Sequence, residues 1–350
     1  MEMNKIKAGI LGATGMVGQR FVELLQEHPW FEITELAASE KSANKSYEEV
    51  MEGRWKVSSD IPEKARKMLV KECKPNLDCR IVFSALDSSV AGHIEEEFAK
   101  NGYIVSSNSK NHRMDEDVPL LIPEVNPEHL SIIKQQQKRT GKGFIVTNPN
   151  CSAIGLVIAL KPLQDAFGLK KVFVTTMQAL SGAGYPGVAS LDILDNVVPY
   201  IGEEEEKMQT EPLKLLGKAE DNKFKFADIK ITAQCNRVHV KDGHLETVNV
   251  ELGRKAEPED VKKAFQNFNP LKGLSLPSAP NPPIIVREEL NRPQPKYDRD
   301  AGNGMAVSVG RIRKCSILDY KFLVLSHNTI RGAAGAAILN AELMKAKGLI

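Results

Sequence analysis

A short apolar run, Ile6 to Leu11, leads directly into Gly12-Ala-Thr-Gly15-Met-Val-Gly18, and a helical pattern follows. This order of strand, glycine turn and helix constrains the fold more than any other stretch of the chain. A pyrophosphate needs bare backbone N–H groups and a close approach, which side chains at these points would block. The N-terminus of the following helix adds a field that favours anions. A G-x-x-G-x-x-G pattern alone is compatible with an ordinary tight turn. Its position after an apolar strand near the N-terminus makes it a dinucleotide-binding candidate. Phe21, Val22, Leu24 and Leu25 mark the apolar side of a helix expected over Gln19 to Glu27.

Further strands are expected at Phe31 to Ala37, Cys79 to Ala85, Tyr103 to Ser106 and Gly143 to Val146, with a helix at His93 to Asn101. The alternation predicts a parallel, doubly wound sheet. Beyond Cys151 the texture changes. Ser152 to Leu163 reads as a buried helix ending near Pro162, and Leu191 to Lys218 as mostly helical, with the acidic run Glu203 to Glu206 inside it. Lys171 to Ala179, Ile229 to Val240, Leu245 to Leu252, Met305 to Ile312 and Leu318 to Leu325 read as strands, and Pro258 to Phe268 as a helix. Pro277 to Pro295 is proline-rich and is expected to be extended or looped, as suits a surface or intersubunit segment. The expected fold class is α/β. A Rossmann-type doubly wound dinucleotide-binding domain covers residues 1–150 and is completed by the C-terminal helix, residues 329–350. An α+β catalytic and dimerisation domain with a mostly antiparallel sheet covers residues 151–328.

Lys plus Arg number 47 and Asp plus Glu 45, for a net charge of +2, which gives no reason to expect nucleic acid or a membrane surface as partner. Basic residues that matter should act singly, in a pocket, on a small anionic ligand. No run is long and apolar enough to span a bilayer, and the N-terminus lacks the apolar core of a secretory signal. The five cysteines form no C-x-x-C pair and are irregularly spaced, which argues against a disulfide framework and against a zinc or other metal site. A reducing, cytoplasmic setting is expected, with most thiols buried. Cys73, Cys79, Cys235 and Cys315 are read as non-catalytic.

The end of the second strand bears on the choice of dinucleotide. An NAD site usually places an acid there to hold the ribose hydroxyls. Here the run is Ala37-Ala-Ser39-Glu40-Lys41-Ser42-Ala-Asn-Lys45. Ser39 and Ser42 with two lysines favour a 2′-phosphate, hence NADP, although Glu40 could face the ribose and either lysine could belong to an ordinary charged loop.

Thr147-Asn-Pro-Asn150-Cys151-Ser152 precedes an apolar helix. Orphan N–H groups and the helix dipole are expected to lower the thiol pKa there and to make Cys151 a nucleophile towards an acyl carbon. Asn150 could donate to an oxyanion or orient a substrate. A thioester beside a nicotinamide implies one reaction class: hydride reaches the thioester carbonyl and an aldehyde leaves. That chemistry calls for a general acid/base, and a histidine is expected.

Four motifs now stand in order: Gly-Ala-Thr-Gly-x-Val-Gly; Asn-Pro-Asn-Cys-Ser; Ser181-Gly-Ala-Gly184-Tyr-Pro-Gly; and Arg237 with His244 seven residues on. Together they resemble the aspartate-semialdehyde dehydrogenase family over nearly the whole chain. The Glu-Glu-Glu-Glu-Lys-Met-Gln-Thr-Glu segment and the final His327-Asn328-Thr-Ile-Arg-Gly-Ala-Ala-Gly resemble its archaeal and fungal branch. The resemblance implies that β-aspartyl phosphate and NADPH give aspartate semialdehyde, phosphate and NADP, on the route to lysine, methionine and threonine. It further implies a homodimer or homotetramer. Carried over, Cys151 is the acyl-forming nucleophile, His244 the general acid/base, and Gln178 the residue that orients the reacting group. Arg237 anchors the substrate α-carboxylate; Arg113 and Asn150 grip phosphate with Lys207 in support. Gly12, Thr14, Gly15, Met16, Val17, Ser39, Ser42, Ser84, Ser181, Gly182, Gly184 and Asn328 are the implied cofactor contacts.

A bidentate guanidinium suits a carboxylate in a way that lysine cannot imitate. Lys207 shares a helical face with Glu203 and Glu204, and Glu204 is the carboxylate chosen to meet the substrate ammonium. His327 is read as structural. N-acetyl-glutamyl-phosphate reductases and malonyl-CoA reductases share the domain plan. The first would carry Gly-Cys-Tyr around the nucleophile and the second tends to lose the asparagine before it, whereas this chain has Asn150-Cys151-Ser152. A non-enzymatic NADP-binding sensor would need neither the nucleophile nor its histidine and arginine.

Overall fold

The structure is a computed structural model that describes residues 4–350; residues 1–3, the start of the segment read for a secretory signal, lie outside the described residues. Its first layer begins with β1 (Ile6–Leu11), α1 (Met16–Leu25), β2 (Phe31–Ala38), β3 (Val70–Glu72) and β4 (Ile81–Ser84). It continues through α2 (Ser88–Lys100), β5 (Ile104–Ser107), α3 (Ile133–Thr140) and β6 (Phe144–Thr147). The six strands pair in the order β3-β2-β1-β4-β5-β6, every pair parallel. β4, β5 and β6 are buried along their whole length, as strands covered on both faces must be.

The second layer starts with α4 (Cys151–Phe167) and β7 (Leu169–Gln178), then α5 (Glu204–Leu215), β8 (Lys230–Arg237), β9 (His244–Leu252) and α6 (Pro258–Gln266). β10 (Ile284–Arg287), β11 (Val307–Lys314) and β12 (Tyr320–Ser326) complete it, and α7 (Gly335–Ala346) ends the chain. Its sheet runs β8-β7-β9-β12-β11-β10. The three inner pairs are antiparallel and the two edge pairs parallel, so the sheet is mixed. β9 alternates buried and half-buried residues without a break, the pattern of a strand with one face in the core. α4 lies across that face and is buried from Ser152 to Leu160, so its apolar residues run all round it.

Several boundaries differ from those expected from the sequence. α1 starts three residues earlier than Gln19, because Gly18 lies inside the helix, packed on the Gly12 carbonyl where a side chain would not fit. α4 runs through Pro162 to Phe167; proline there removes one backbone donor without stopping a helix clamped in the core. The expected long helix over Leu191 to Lys218 is broken. A short turn at Ser190–Ile193 is followed by a non-helical segment, in which Val198 bridges the backbone of Arg237, before α5 begins. β10 lies within the proline-rich stretch and adds a parallel edge strand beside β11. α2 starts at Ser88, capped by the Asp87 side chain, rather than at His93.

α7 packs on the first sheet: Ala337, Ile338, Leu339 and Leu343 share a core with Ile10, Phe21, Phe83 and Val146. The Ser106 hydroxyl donates to the Ala337 carbonyl at 3.0 Å, and Asn340 Nδ2 donates to Asn148 Oδ1 at 2.7 Å. None of the described helices is long and apolar enough to cross a membrane.

Three histidines are buried in neutral form. Burial lowers His129 and His327 from the ordinary 6.5 to about 4 and His244 to about 3. Between those values and 6.5 the unfolded chain binds more protons than the folded one, so stability falls as the pH drops through this window. His112, raised by its bond to Asp115 although burial opposes it, acts in the opposite sense. Burial raises Glu95 and Glu246, which also oppose the fall, so the test is a difference: the urea midpoint of the parent less that of a His129→Gln variant is expected to fall from pH 7 to pH 4.5. A difference that holds constant or rises over that range would contradict neutral burial of His129.

Candidate active site

The C-terminal ends of β1 and β4, the N-terminus of α4 and one end of the second sheet enclose a cleft of about 630 Å³. Its lining includes Gly15, Met16 and Val17 on one side, Cys151 at the centre, and Gln178, Ser181, Gly182, Gly184 and Arg237 on the other. A more apolar hollow of about 480 Å³ on the outer face of the second sheet, around Phe173, Ile231 and Ile317, has no histidine or arginine beside its Cys315.

Strand register gathers the polar groups. Arg237 and Gln178 are directly paired between β8 and β7, and Leu245 pairs with Met177 between β9 and β7. His244, the first residue of β9, therefore stands at the same end of the sheet as Gln178 and Arg237. It is fully buried and aimed at α4, not in an exposed loop. Cys151 Sγ and His244 Nε2 are 3.2 Å apart. The backbone N–H of Ala179 donates to His244 Nδ1 at 3.0 Å. A backbone N–H can only donate, so Nδ1 is the acceptor and the neutral ring carries its proton on Nε2, facing the sulfur.

The thiol departs from expectation. Burial pushes Cys151 up to about 12, reinforced by the Glu204 carboxylate, while Arg237 and Arg113 act in the other direction. At the bottom of the cleft desolvation outweighs the helix N-terminus. His244 is held at about 3 by burial first and by Arg237 second. The resting pair is a thiol and a neutral imidazole.

Asn150 is the N-cap of α4. Its Oδ1 accepts from the N–H groups of Ser152 and Ala153 at 2.8 and 3.2 Å, and its Nδ2 donates to Glu204 Oε1 at 2.8 Å. The side-chain oxygen is committed to the helix, which fixes the asparagine more firmly than a free oxyanion donor would be. Arg237 Nη1 donates to the Ala179 carbonyl at 2.7 Å. Lys207 lies 3.5 Å from Glu204, whereas Glu203 turns away to Lys110. Asn328 accepts from the Gly243 N–H and donates to the Ser181 hydroxyl, both at 2.8 Å, tying the turn before β9 to the cleft wall. His327 Nδ1 accepts from the N–H groups of Thr329 and Ile330.

The glycine turn fits a dinucleotide. Gly12 has φ of +75°, and a Cβ there would stand 2.6 Å from the Ala85 carbonyl. Gly15, by contrast, meets nothing nearer than 3.5 Å, so its bare backbone faces the cleft. Thr14 lies on the turn with its carbonyl taken by Gln19. A second cavity of about 570 Å³ lies past the end of β2, between Ser39, Lys41, Cys73 and Lys74. Four expected contacts, Gly12, Thr14, Ser42 and Ser84, line neither cavity, the first two as part of the turn that leads into Gly15. Ser84 is fully buried, with its side chain towards Glu95 of α2, and Ser42 is buried behind the loop whose Ser39 and Lys41 face the cavity. Side-chain direction at a strand end and inside a short loop turn decided both.

Cys235 is buried beside Thr176 and pushed up to about 12. Cys73, Cys79 and Cys315 are only partly buried, contrary to the expectation for most thiols; backbone N–H groups of Leu318 and Ile317 hold Cys315 below its ordinary value. Residues not singled out from the sequence also shape the site. Gly332 packs where a Cβ would sit 2.8 Å from that of Cys151, and Glu211 and Lys214 lie behind Arg113. The Arg-Gly-Ala-Ala-Gly run was the available signal for the first; i,i+7 and i,i+10 spacing from Glu204 was the signal for the others.

A parallel sheet with a glycine turn, joined through a cysteine–histidine pair to a second mixed sheet, defines the semialdehyde dehydrogenase class. The profile "Semialdehyde dehydrogenase, NAD binding domain" matches residues 7–133, and "Semialdehyde dehydrogenase, dimerisation domain" matches residues 160–331. The aspartate-semialdehyde dehydrogenase of Archaeoglobus fulgidus is 56% identical over 342 residues, which is 97% of this chain and 98% of that protein. The crystal structure of the Candida albicans aspartate semialdehyde dehydrogenase with NADP superposes with a TM-score of 0.91 at 46% identity, covering 99% of this chain and 100% of that one. Aspartate semialdehyde dehydrogenase II of Vibrio cholerae, complexed with ASA, gives 0.77 at 27% identity, covering 98% and 99%. The chain belongs to the aspartate-semialdehyde dehydrogenase family.

Proposed function

We propose that this protein catalyses the reversible, NADPH-dependent reductive dephosphorylation of β-aspartyl phosphate to aspartate semialdehyde, in the pathway to lysine, methionine and threonine. The observation that carries the reading is the 3.2 Å contact of Cys151 Sγ with a histidine whose proton is fixed on the facing nitrogen, at a helix N-terminus beside the glycine turn. Cys151 sulfur attacks the acyl carbon, the acyl C–O bond breaks, and phosphate departs with the bonding pair and takes up the thiol proton, leaving as hydrogen phosphate. Arg237 binds the α-carboxylate and Glu204 the ammonium; Arg113 holds phosphate, supported by Lys207 and by the fixed Asn150. Gln178 orients the acyl oxygen. Bound NADPH supplies the hydride that converts the thioester into the aldehyde level. His244 donates its Nε2 proton to the oxygen at that stage and recovers it from that oxygen as the C–S bond breaks; the sulfur leaves with the bonding pair and takes a proton from water, which restores the thiol.

Gly12, Gly15, Met16 and Val17 would hold the pyrophosphate, and Ser181, Gly182, Gly184 and Asn328 would flank the nicotinamide. Ser39 and Lys41 suit a 2′-phosphate and support NADP, with Glu40 on the same lining and Lys74 paired with Glu72. A homodimer or homotetramer formed through the second domain, a cytoplasmic location, and domains of residues 1–150 with 329–350 and of residues 151–328 complete the reading. The profile matched over residues 160–331 is that of a dimerisation domain, which supports the first of these.

The test is reduction of NADP with aspartate semialdehyde and phosphate, with NAD, and with malonate semialdehyde plus CoA, as controls. A rate with the first set alone is expected. A rate only with malonate semialdehyde and CoA would keep the Cys151 chemistry and overturn the substrate.

A further inference from the structure

α5 carries Glu204, Lys207, Glu211 and Lys214 at intervals of three, four and three residues, which places them along one face. The first two line the cleft; the last two lie behind it. Glu211 Oε1 accepts from Arg113 Nη1 at 2.9 Å, and its Oε2 accepts from the backbone N–H of Asn150 at 2.5 Å. One carboxylate thus ties the Arg113 guanidinium to the cap of the helix that begins with Cys151.

Lys214 is wholly buried, at 0% exposure. Its Nζ donates to the carbonyls of Arg113, Asp115 and Val118 at 2.8, 2.8 and 2.9 Å. All three ammonium protons are used, and the Phe224 ring closes the remaining side at 4.3 Å. The three acceptors come from a loop with no strand or helix to set its course, and the first of them is the backbone of Arg113 itself. Carbonyl oxygens turned to one buried point repel one another unless a cation lies between them. Burial lowers Lys214 to about 8, against the carboxylates of Asp115, Asp117 and Glu211, which leaves it an ammonium at neutral pH.

We propose that Lys214, with Glu211, is a positioning residue that sets the place of the Arg113 guanidinium and thereby the affinity for the phosphate exchanged with the acyl group. The inference rests on the reading of Arg113 as the phosphate grip. α5 then serves the site twice, since its first turn meets the substrate and its last two turns aim a residue from the other layer.

The test is the full-length Lys214→Met variant, which keeps the stem and removes the charged head. In the phosphate-dependent oxidation of aspartate semialdehyde, KM for phosphate is expected to rise about ten- to hundred-fold, the scale for a binding group misplaced by about 1 Å. The Kd for NADPH, read by fluorescence, and KM for NADP should stay within about two-fold, since no cofactor residue touches the loop. Lys214→Ala should recover part of the phosphate affinity when ethylammonium is added. An unchanged phosphate KM in folded Lys214→Met, or equal losses for phosphate and NADP, would overturn the proposal. If Lys214→Met does not fold, Glu211→Gln carries the same test, because it keeps the shape and removes the charge that holds Arg113. A wild-type enzyme whose rate ignores phosphate would instead sink the reading of Arg113, and this inference with it.

Discussion

Cys151→Ala is expected to lower kcat by about 10⁴-fold or more, because loss of a covalent nucleophile removes the route itself and not one contribution to it. NADPH binding should be unchanged, since Cys151 caps no part of the glycine turn and Gly15 to Val17 keep their places on the other wall of the cleft. Single-turnover assays with aspartate semialdehyde, paired with a fluorescence titration of NADPH, separate the two. Substantial turnover in Cys151→Ala would refute the thioester route. Cys151→Ser should fall between the two proteins or near alanine, since its hydroxyl is a far weaker nucleophile than even this partly desolvated thiol.

His244→Ala is expected to cost about 10²- to 10⁴-fold in kcat, the range for a positioned general acid/base. The substitution also strips the Ala179 N–H of its acceptor, so some stability is lost with the activity. His244→Asn separates these effects. Asparagine offers an oxygen to the Ala179 N–H but has no group that carries a proton to and from oxygen or sulfur near neutral pH. A folded, NADPH-binding His244→Asn protein with a kcat near that of alanine would fit the assignment. A kcat near wild type in either variant would remove His244 from proton transfer and leave it the hydrogen-bond acceptor of the Ala179 turn.

Much of the architecture was legible because it rests on local pattern. Apolar runs of four to eight residues, punctuated by glycine and by amphipathic segments, marked five of the six parallel strands. β3 escaped because three residues with a lysine in the middle give no periodicity; only its pairing with Leu36 to Ala38 makes it a strand. The break between Ser190 and Glu204 was hidden in the same way, since Val198 is held by the distant backbone of Arg237. The candidate site divides along similar lines. Motif position brought Cys151, Gln178, Arg237 and His244 to attention, and the structure gathers their side chains at one end of the second sheet. Ser42 and Ser84 depended on which way a hydroxyl points, and that is set by tertiary packing. Glu211 and Lys214 gave only their helical spacing from Glu204, which any charged helix face carries, because most of their partners lie about a hundred residues earlier in the chain and are backbone groups. The Cys151 thiol was expected to be acidic from its helix position; the depth of the cleft, visible only in three dimensions, reverses the direction.

The return of α7 to the first sheet orders events during synthesis. Phe83, Val146 and Ile10 emerge early, yet the residues that cover them, Ala337, Ile338 and Leu339, are translated only after every strand of the second sheet. Until then the nascent chain carries an uncovered apolar sheet face, with the Ser106 hydroxyl and Asn148 lacking their partners on the final helix. The nucleotide-binding half therefore cannot finish folding ahead of the half translated after it. A fragment stopped at residue 328 keeps every proposed cofactor contact, Asn328 included, and still lacks the wall against which its sheet must close.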